Sequence, residues 1–404
     1  MGANSPSLAM RTKLALILVS KAWRRIALQI LYRHLEVRSL VRAHLILKTL
    51  QQSVSNQESY GRWTRHVEVF TFTRNTNDIK YLHAIYKILE LCPELRIFSG
   101  NWTRPLHIDF LNGVARLLGP SLPALYWKDT KLEEAPQRPK FLTATTPDFL
   151  GSFQMLRTLD LRHFWGSNPT TWSQLSRPNL PFLKDLVLSM RPESLKVATF
   201  LAMPSLQNLT LQTSDWDFES EKLLTSFLNT HGASITAVDL HVSADYESQP
   251  RNAIRGRISA HIPVELFLSQ DVCPILDTIT FPATSPPIAP HVHPTLRRIG
   301  LRGGKMEGLY PDKPSDLRDH LMAINLDKYP RLELIQIIGF LVDAHTDTLV
   351  RDIFIWWVER FEKEMGVTFL DGEAVLWQYD SDHDKSVPTS LIAHPSTGPI
   401  NLCE

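Results

Sequence analysis

One short pattern recurs throughout the sequence: an apolar residue, two other residues, a second apolar residue, one other residue and a third apolar residue. Clear copies are LRTLDL at 156–161, LKDLVL at 183–188, LQNLTL at 206–211, ITAVDL at 235–240, LDTITF at 276–281, LRRIGL at 296–301 and LELIQI at 332–337. Weaker copies lie at 67–72, 95–98 and 122–127. Such self-similarity restricts the chain to a repeat architecture, because each copy marks one equivalent structural unit.

The spacing within each copy predicts a short β-strand. Its last two apolar positions are two residues apart, so their side chains point to one face of the strand. Stretches with helical spacing lie between copies, for example at 79–89, 195–202 and 223–228. Strand–helix–strand repetition requires parallel strands with helices on the other face, and units that cannot bury their apolar side alone must stack. We therefore predict an α/β fold, an irregular leucine-rich-repeat-like solenoid.

A doubly wound sheet also alternates strands and helices and is the competing fold. Its central strands are buried on both faces and read as continuous apolar runs. The strands of this chain instead alternate apolar residues with Asp, Asn, Thr and Arg. The alternation favours the solenoid.

Charge and cysteine content exclude some functional classes. The formal net charge is +1, so the chain is not a uniformly basic nucleic-acid binder. Residues 1–66 nevertheless hold eleven Lys or Arg against two Glu, which indicates a separate N-terminal module, a basic face for an acidic partner, or simply a solvated helical face. Three distant cysteines cannot form a disulfide framework, which favours a reducing compartment. No apolar run reaches the ~18 residues of a membrane-spanning helix.

The N-terminal segment LALILVSKAWRRIALQILYRHLEV, residues 14–37, has helical spacing and none of the repeat pattern. Its apolar run, Val19–Ser20, Trp23–Arg24–Arg25 and Leu31–Tyr32–Arg33–His34–Leu35 resemble the second half of an F-box with the entry strand typical of fungal F-box proteins. The repeat region is then similar to the substrate-binding part of leucine-rich-repeat F-box proteins. An F-box normally opens with a Leu–Pro pair and a helix reading roughly ELLxxIF, and residues 1–13 contain neither. We therefore expect an incomplete, N-terminally truncated F-box or a degenerate one.

The sequence carries no recognisable catalytic motif. GLRGGK at 300–305 lacks the flanking residues of a phosphate-binding loop, and DSDHD at 380–384 lacks the Gly and Glu of a calcium loop. His291 and His293 have no third ligand nearby. We expect no catalytic residue, no metal and no cofactor, and we expect neither nucleic acid nor a membrane as a partner.

Two sets of residues are candidate partner-binding sites. The resemblance implies that Leu18, Val19, Trp23 and Arg24 contact a Skp-type linker protein, although Trp23 also fits a core position in the helices. Strand alternation assigns a second set to a concave face for a protein substrate. That set comprises Asp160, Arg162, Asp185, Gln212, Asp239, His241, Arg298 and Arg302. An exposed sheet face that merely contacts solvent explains this second set equally well.

Three regions follow from these patterns. Residues 1–38 form the partial F-box-like segment, residues 39–370 the solenoid with a C-terminal capping helix at 349–365, and residues 371–404 a flexible acidic tail. The predicted function is a non-catalytic, cytoplasmic or nuclear adaptor that resembles the substrate-recognition F-box protein of a cullin–RING ubiquitin ligase. The alternative is a free-standing leucine-rich-repeat scaffold with a degenerate F-box and no ligase association.

Overall fold

A computed structural model gives the fold of the chain as two compact units, Met1–His231 and Gly232–Glu404. It describes residues 6–71, 78–103, 106–129, 142–143, 145–165, 177–213, 218–242, 262–286, 292–342, 348–379 and 386–389. Each unit is built on parallel strands with helices in the connections between them.

The first unit contains nine strands and eight α-helices within its described residues. The strands are β1 (His34–Val37), β2 (His66–Thr71), β3 (Ile97–Trp102), β4 (Leu106–His107), β5 (Ala124–Lys128), β6 (Leu142–Thr143), β7 (Thr158–Asp160), β8 (Asp185–Ser189) and β9 (Asn208–Gln212). The helices are α1 (Pro6–Val19), α2 (Lys21–Tyr32), α3 (Leu40–Ser55), α4 (Asp78–Glu90), α5 (Ile108–Leu118), α6 (Pro147–Gly151), α7 (Pro192–Phe200) and α8 (Phe218–His231). Strands β1, β2, β3, β5, β7, β8 and β9 pair in parallel in that order, while β4 and β6 form a small antiparallel pair.

The apolar positions of the repeat pattern form the core of this unit. Leu156, Leu159 and Leu161 are fully buried, and so are the three leucines at 183–188. The register is regular, since Leu125 lies level with Leu159 and Leu159 lies level with Leu186. Equivalent leucines of successive repeats therefore stack on one another across the sheet.

Helices α1 and α2 precede the first strand and pack against each other. The Ser20 backbone is extended and its hydroxyl accepts a hydrogen bond from the Trp23 amide at 3.2 Å, so Ser20 ends α1 and caps α2. Ala27 of α2 is buried, and the Tyr32 ring stacks on Tyr60 with the centroids 4.7 Å apart. These contacts attach α2 to the first repeat.

The second unit contains seven strands and three α-helices within its described residues. The strands are β10 (Ala237–His241), β11 (Thr278–Pro282), β12 (Arg298–Arg302), β13 (Leu334–Ile338), β14 (Thr368–Leu370), β15 (Leu376–Tyr379) and β16 (Ser386–Thr389). The helices are α9 (Glu265–Leu268), α10 (Asp316–Ala323) and α11 (Thr348–Met365). Strands β10 to β14 pair in parallel in chain order, and β15 pairs with β16 in antiparallel fashion.

Helix α11 covers the end of the parallel strands in this unit. Its Phe354 and Phe361 rings pack on Phe369 of β14, at centroid distances of 5.0 and 5.4 Å. The indole of the buried Trp357 donates a hydrogen bond to the Leu309 carbonyl at 2.7 Å. Phe354 and Phe361 of the buried side of α11 thus pack against the last described parallel strand, whereas Leu349 and Trp356 remain exposed.

The predicted fold class is confirmed. Each of the ten copies of the pattern corresponds to a parallel strand, and within each unit the strands follow chain order, which excludes the switch point of a doubly wound sheet. Within the described residues, no helix is both long and apolar enough to cross a membrane. Most of the predicted tail, residues 380–385 and 390–404, lies outside the described residues, and the three predicted regions remain predictions.

Candidate functional site

Helices α1 and α2 expose an apolar surface that contains all four residues predicted to contact a linker. Leu18 is 85% exposed, Val19 63% and Trp23 48%, and Arg24 is also exposed. Trp23 therefore does not occupy the core position that its size alone would favour. Large apolar side chains grouped on a surface mark an interaction site more often than isolated ones do.

The same surface extends along both helices. Further exposed apolar side chains are Leu14, Ile26 and Ile30. Neither helix contains an Asp or Glu, whereas α2 carries Lys21, Arg24 and Arg25. A partner for this surface must combine apolar side chains with negative charge.

Polar side chains of β7, β8 and β9 form a hydrogen-bonded row on the strand face. The parallel register places Thr158, Asp185 and Asn208 level with one another. The Thr158 hydroxyl donates to Asp185 Oδ2 at 3.1 Å, and Asn208 Nδ2 donates to Asp185 Oδ1 at 2.6 Å. Asp185 is thus held by its two neighbouring strands, which satisfies both of its carboxylate oxygens.

The two predicted residues of the β7 repeat pair with each other. Arg162 donates from Nε to Asp160 Oδ1 and Oδ2 at 3.2 and 3.1 Å, and from Nη2 to Oδ2 at 2.8 Å. The backbone amide of Arg162 also donates to Asp160 Oδ1 at 3.0 Å. Asp160 is only 7% exposed, so this residue is buried under its own ion pair rather than presented openly on the strand face.

Asp239, His241 and Arg302 form a comparable cluster in the second unit. Arg302 Nη2 lies 3.0 Å from both Asp239 oxygens, and His241 Nε2 lies 2.8 Å from Asp239 Oδ2. Burial raises the pKa of Asp239, but the hydrogen bond from His241 and the positive charges of His241 and Arg302 outweigh burial, so the pKa lies below its ordinary value. Asp239 is therefore an ionised centre that orients the imidazole of His241 and the guanidinium of Arg302.

Gln212 and Arg298 stand apart from these clusters. Both are partly exposed, Gln212 at the end of β9 and Arg298 at the start of β12. Of the eight residues predicted for the strand face, the structure brings together Asp160 with Arg162, and Asp239 with His241 and Arg302. Asp185 instead pairs with Thr158 and Asn208 of the neighbouring strands.

Two histidines of β1 and β2 form a further polar group that sequence analysis did not single out. The rings of His34 and His66 stack with their centroids 4.3 Å apart, and His34 Nε2 lies 3.4 Å from Glu68 Oε2. His66 Nε2 is 2.7 Å from the Ser99 hydroxyl, and burial lowers the pKa of His66 to about 4. The only signal in the sequence is that His34 and His66 occupy equivalent positions in consecutive strands.

The cysteines of the described residues are buried and unreactive. Burial raises the pKa of the Cys92 thiol to about 11 and that of Cys273 to about 12, so both thiols are protonated near neutral pH. The part of the chain that the structure describes contains no group of three or more His, Cys, Asp or Glu that would hold a metal ion.

Comparisons with known proteins do not assign a function to the chain. No family model matches the chain, and no curated protein sequence matches it. A crystal structure of a protein from Bacteroides fragilis, solved as a structural genomics target, is 14% identical over 81% of this chain and 82% of that chain, with a TM-score of 0.39. A chain in the crystal structure of a Rad7 and Elc1 complex in yeast is 9% identical over 91% of this chain and 98% of that chain, with a TM-score of 0.29. Likenesses this distant leave the function to be argued from the chain's own residues.

Proposed function

We propose that the chain is a non-catalytic protein-interaction adaptor, located in the cytoplasm or nucleus, that resembles the substrate-recognition F-box protein of a cullin–RING ubiquitin ligase. Helices α1 and α2 hold a Skp-type linker protein, and the strand face holds a protein substrate. The observation that carries this proposal is the exposed apolar surface of α1 and α2, where Leu18, Val19 and Trp23 lie on the segment that resembles an F-box.

The chemistry of the two surfaces supports this division of roles. Apolar side chains with adjacent cations form the kind of patch in which a few buried anchors supply most of the binding free energy. The strand face instead carries ordered ion pairs such as Asp160–Arg162, which favour selectivity over affinity. An adaptor requires both properties, one for a constant partner and one for a particular substrate.

Binding of a purified Skp-type linker to the full chain tests this proposal. The double variant Leu18→Asp, Trp23→Ala removes two apolar anchors, each of which contributes about 2 kcal/mol or more where it is buried in an interface, so binding falls more than about tenfold. Leu45→Asp is the matched control, because Leu45 is 61% exposed on α3, outside the linker-binding set. Isothermal titration calorimetry measures the affinities, and circular dichroism checks that each variant is folded.

The alternative function is a free-standing scaffold with no ligase association. The observation that favours it is the ordered strand face, where Asp185 is held by hydrogen bonds from Thr158 and Asn208, residues that lie outside α1 and α2. A folded wild-type chain that does not bind the linker in the same titration supports the scaffold and contradicts the adaptor.

A further inference from the structure

The strands β5, β7 and β8 of the first unit are each followed by basic residues at their carboxyl-terminal ends. Lys128 is the last residue of β5, Arg162 and His163 follow β7, and Arg191 follows β8. Parallel strands place these ends at one edge of the sheet. We call Lys128, Arg162, His163 and Arg191 the basic cluster.

Two of these cations form no ion pair with a carboxylate of the described residues. Arg162 is paired with Asp160, as described above, whereas Lys128 and Arg191 make no ion pair within the described part of the chain. The Arg191 guanidinium lies over the Trp165 ring, 4.5 Å from its centroid. This cation–π contact fixes the position of Arg191 without neutralising its charge.

The pKa of His163 indicates that the electrostatic potential at the basic cluster is positive. Burial and the positive charges of Lys128, Arg191 and Arg162 together lower the pKa of His163 to about 4, and the opposing effect of Asp160 is smaller than that of Lys128 alone. A second positive charge is therefore unfavourable here, and the imidazole is neutral near pH 7. Two other carboxylates belong to these elements: Asp129, whose Oδ1 accepts a hydrogen bond from the Trp165 amide at 2.5 Å, and Glu193 in the first turn of α7. Neither is among the groups whose charges shift the pKa of His163.

The start of helix α7 adds positive potential to the same edge. The Ser194 hydroxyl, in the first turn of α7, donates to the Leu161 carbonyl at 3.0 Å and lies 3.3 Å from the Phe164 carbonyl. These bonds hold the helix N-terminus against the turn that carries Arg162 and His163. The positive end of the helix dipole thus lies beside the basic cluster.

We propose that the basic cluster is a binding site for an acidic, carboxylate-rich segment of a partner protein. Lys128 and Arg191 pair with carboxylates of that segment, and the neutral His163 supplies a hydrogen bond between them. The proposal rests on the proposed function, since it assigns a chemical class to the protein that the strand face holds. It fits the observed charges, because an anion here compensates two cations that have no counter-ion among the described residues.

A protein segment fits this site better than a nucleic acid does. Nucleic-acid binding requires a track of several uncompensated cations that follows the phosphate backbone. Elsewhere on the strand faces Arg38 is paired with Glu36 and Arg302 with Asp239, and Arg298 at the start of β12 is a single cation rather than part of a track. The net charge of +1 for the whole chain gives no wider positive field.

Fluorescence anisotropy with the full-length chain tests the site. The probe is a fluorescein-labelled dodecapeptide of alternating glutamate and serine, compared with the same peptide in which glutamine replaces glutamate. We expect the glutamate peptide to bind with an affinity that falls with added salt. Lys128→Gln, Arg191→Gln should weaken that binding by about tenfold or more, because two charge-paired contacts are lost.

Two further variants separate the local site from general charge and from folding. Arg157→Gln, Lys184→Gln removes two exposed cations at the amino-terminal ends of β7 and β8 and should leave binding unchanged. Lys128→Arg, Arg191→Lys keeps both charges and should retain most of the binding. An equal loss in the Arg157/Lys184 variant, or equal binding of the glutamine peptide, overturns the proposal.

Two competitors identify the ligand class. The proposal is also overturned if inorganic phosphate displaces the peptide at an equal concentration, or if a single-stranded oligonucleotide binds more tightly than the peptide. A chain that binds the linker protein but not the peptide contradicts only this site. A chain that binds the peptide but not the linker contradicts only the adaptor proposal.

Discussion

At the scale of single residues, the stability of the fold rests on the leucines of the repeat pattern. Leu209 is 1% exposed in β9, where it lies level with Leu186 of β8. Leu209→Ala leaves a cavity in this stack and should lower the free energy of unfolding of the first unit by about 2–5 kcal/mol. Chemical denaturation followed by circular dichroism measures the change.

The neighbouring residue provides the control for that measurement. Thr210 is partly exposed on the other face of β9, so Thr210→Ala should change the stability by about 0.5 kcal/mol or less. Equal effects of the two substitutions would contradict the assignment of Leu209 to the core face.

At the scale of elements, helix capping determines where the N-terminal helices begin. The Ser39 backbone is extended, and its hydroxyl accepts a hydrogen bond from the Arg42 amide at 3.3 Å, so Ser39 caps α3. Ser39→Ala should destabilise the first turn of α3 by about 1 kcal/mol, whereas Ser39→Asp keeps an acceptor and should preserve it. Amide hydrogen exchange of residues 40–43 measures the difference, and equal exchange in both variants would show that the cap contributes nothing.

The elements themselves were largely predictable from the sequence, because the pattern that specifies them is local. The three apolar positions of 156–161 are all buried, and the same holds for 206–211. Strand β14 was missed because GVTFL at 366–370 places Val367, Phe369 and Leu370 at a different spacing. This strand is held instead by the packing of Phe369 against Phe354 and Phe361 of α11.

The candidate sites were less predictable, because they depend on register and on side-chain direction. Alternation correctly separated Asp160 and Asp239 from the core leucines, but it could not show that Arg302 reaches Asp239 from two strands away. The sequence pattern did not predict the grouping of Lys128, His163 and Arg191, because these residues follow three different copies of the pattern. The signal that would have found them is the basic residue at the end of LYWK, LDLRH and LVLSMR.

At the scale of the whole molecule, buried histidines make the first unit sensitive to acid. Burial is the main cause that lowers the pKa values of His66, His163 and His231 to about 4. The unfolded chain takes up these protons near its ordinary histidine pKa of about 6.5. Between about pH 6.5 and pH 4 the unfolded state therefore binds more protons, and the stability of the first unit should fall as the pH falls through this range.

Denaturation midpoints at pH 7, 6, 5 and 4 measure this dependence. His66→Gln keeps a hydrogen-bonding group near Ser99 but removes one titrating group, so the decline between pH 6.5 and pH 4 should become shallower. His44→Gln, at an exposed position on α3, is the control and should leave the slope unchanged. A slope that His66→Gln does not alter would contradict the assignment of acid sensitivity to His66.

The ion pairs between residues close in sequence affect how such a chain can evolve. Glu36 with Arg38 and Asp160 with Arg162 each join residues two positions apart, so both members of a pair belong to one repeat. A repeat that is duplicated, deleted or exchanged by recombination carries its own counter-ion with it. The number of repeats can therefore change without leaving a buried carboxylate such as Asp160 unpaired, which would be costly. New binding surfaces can arise by rearranging whole repeats before any point mutation adjusts them.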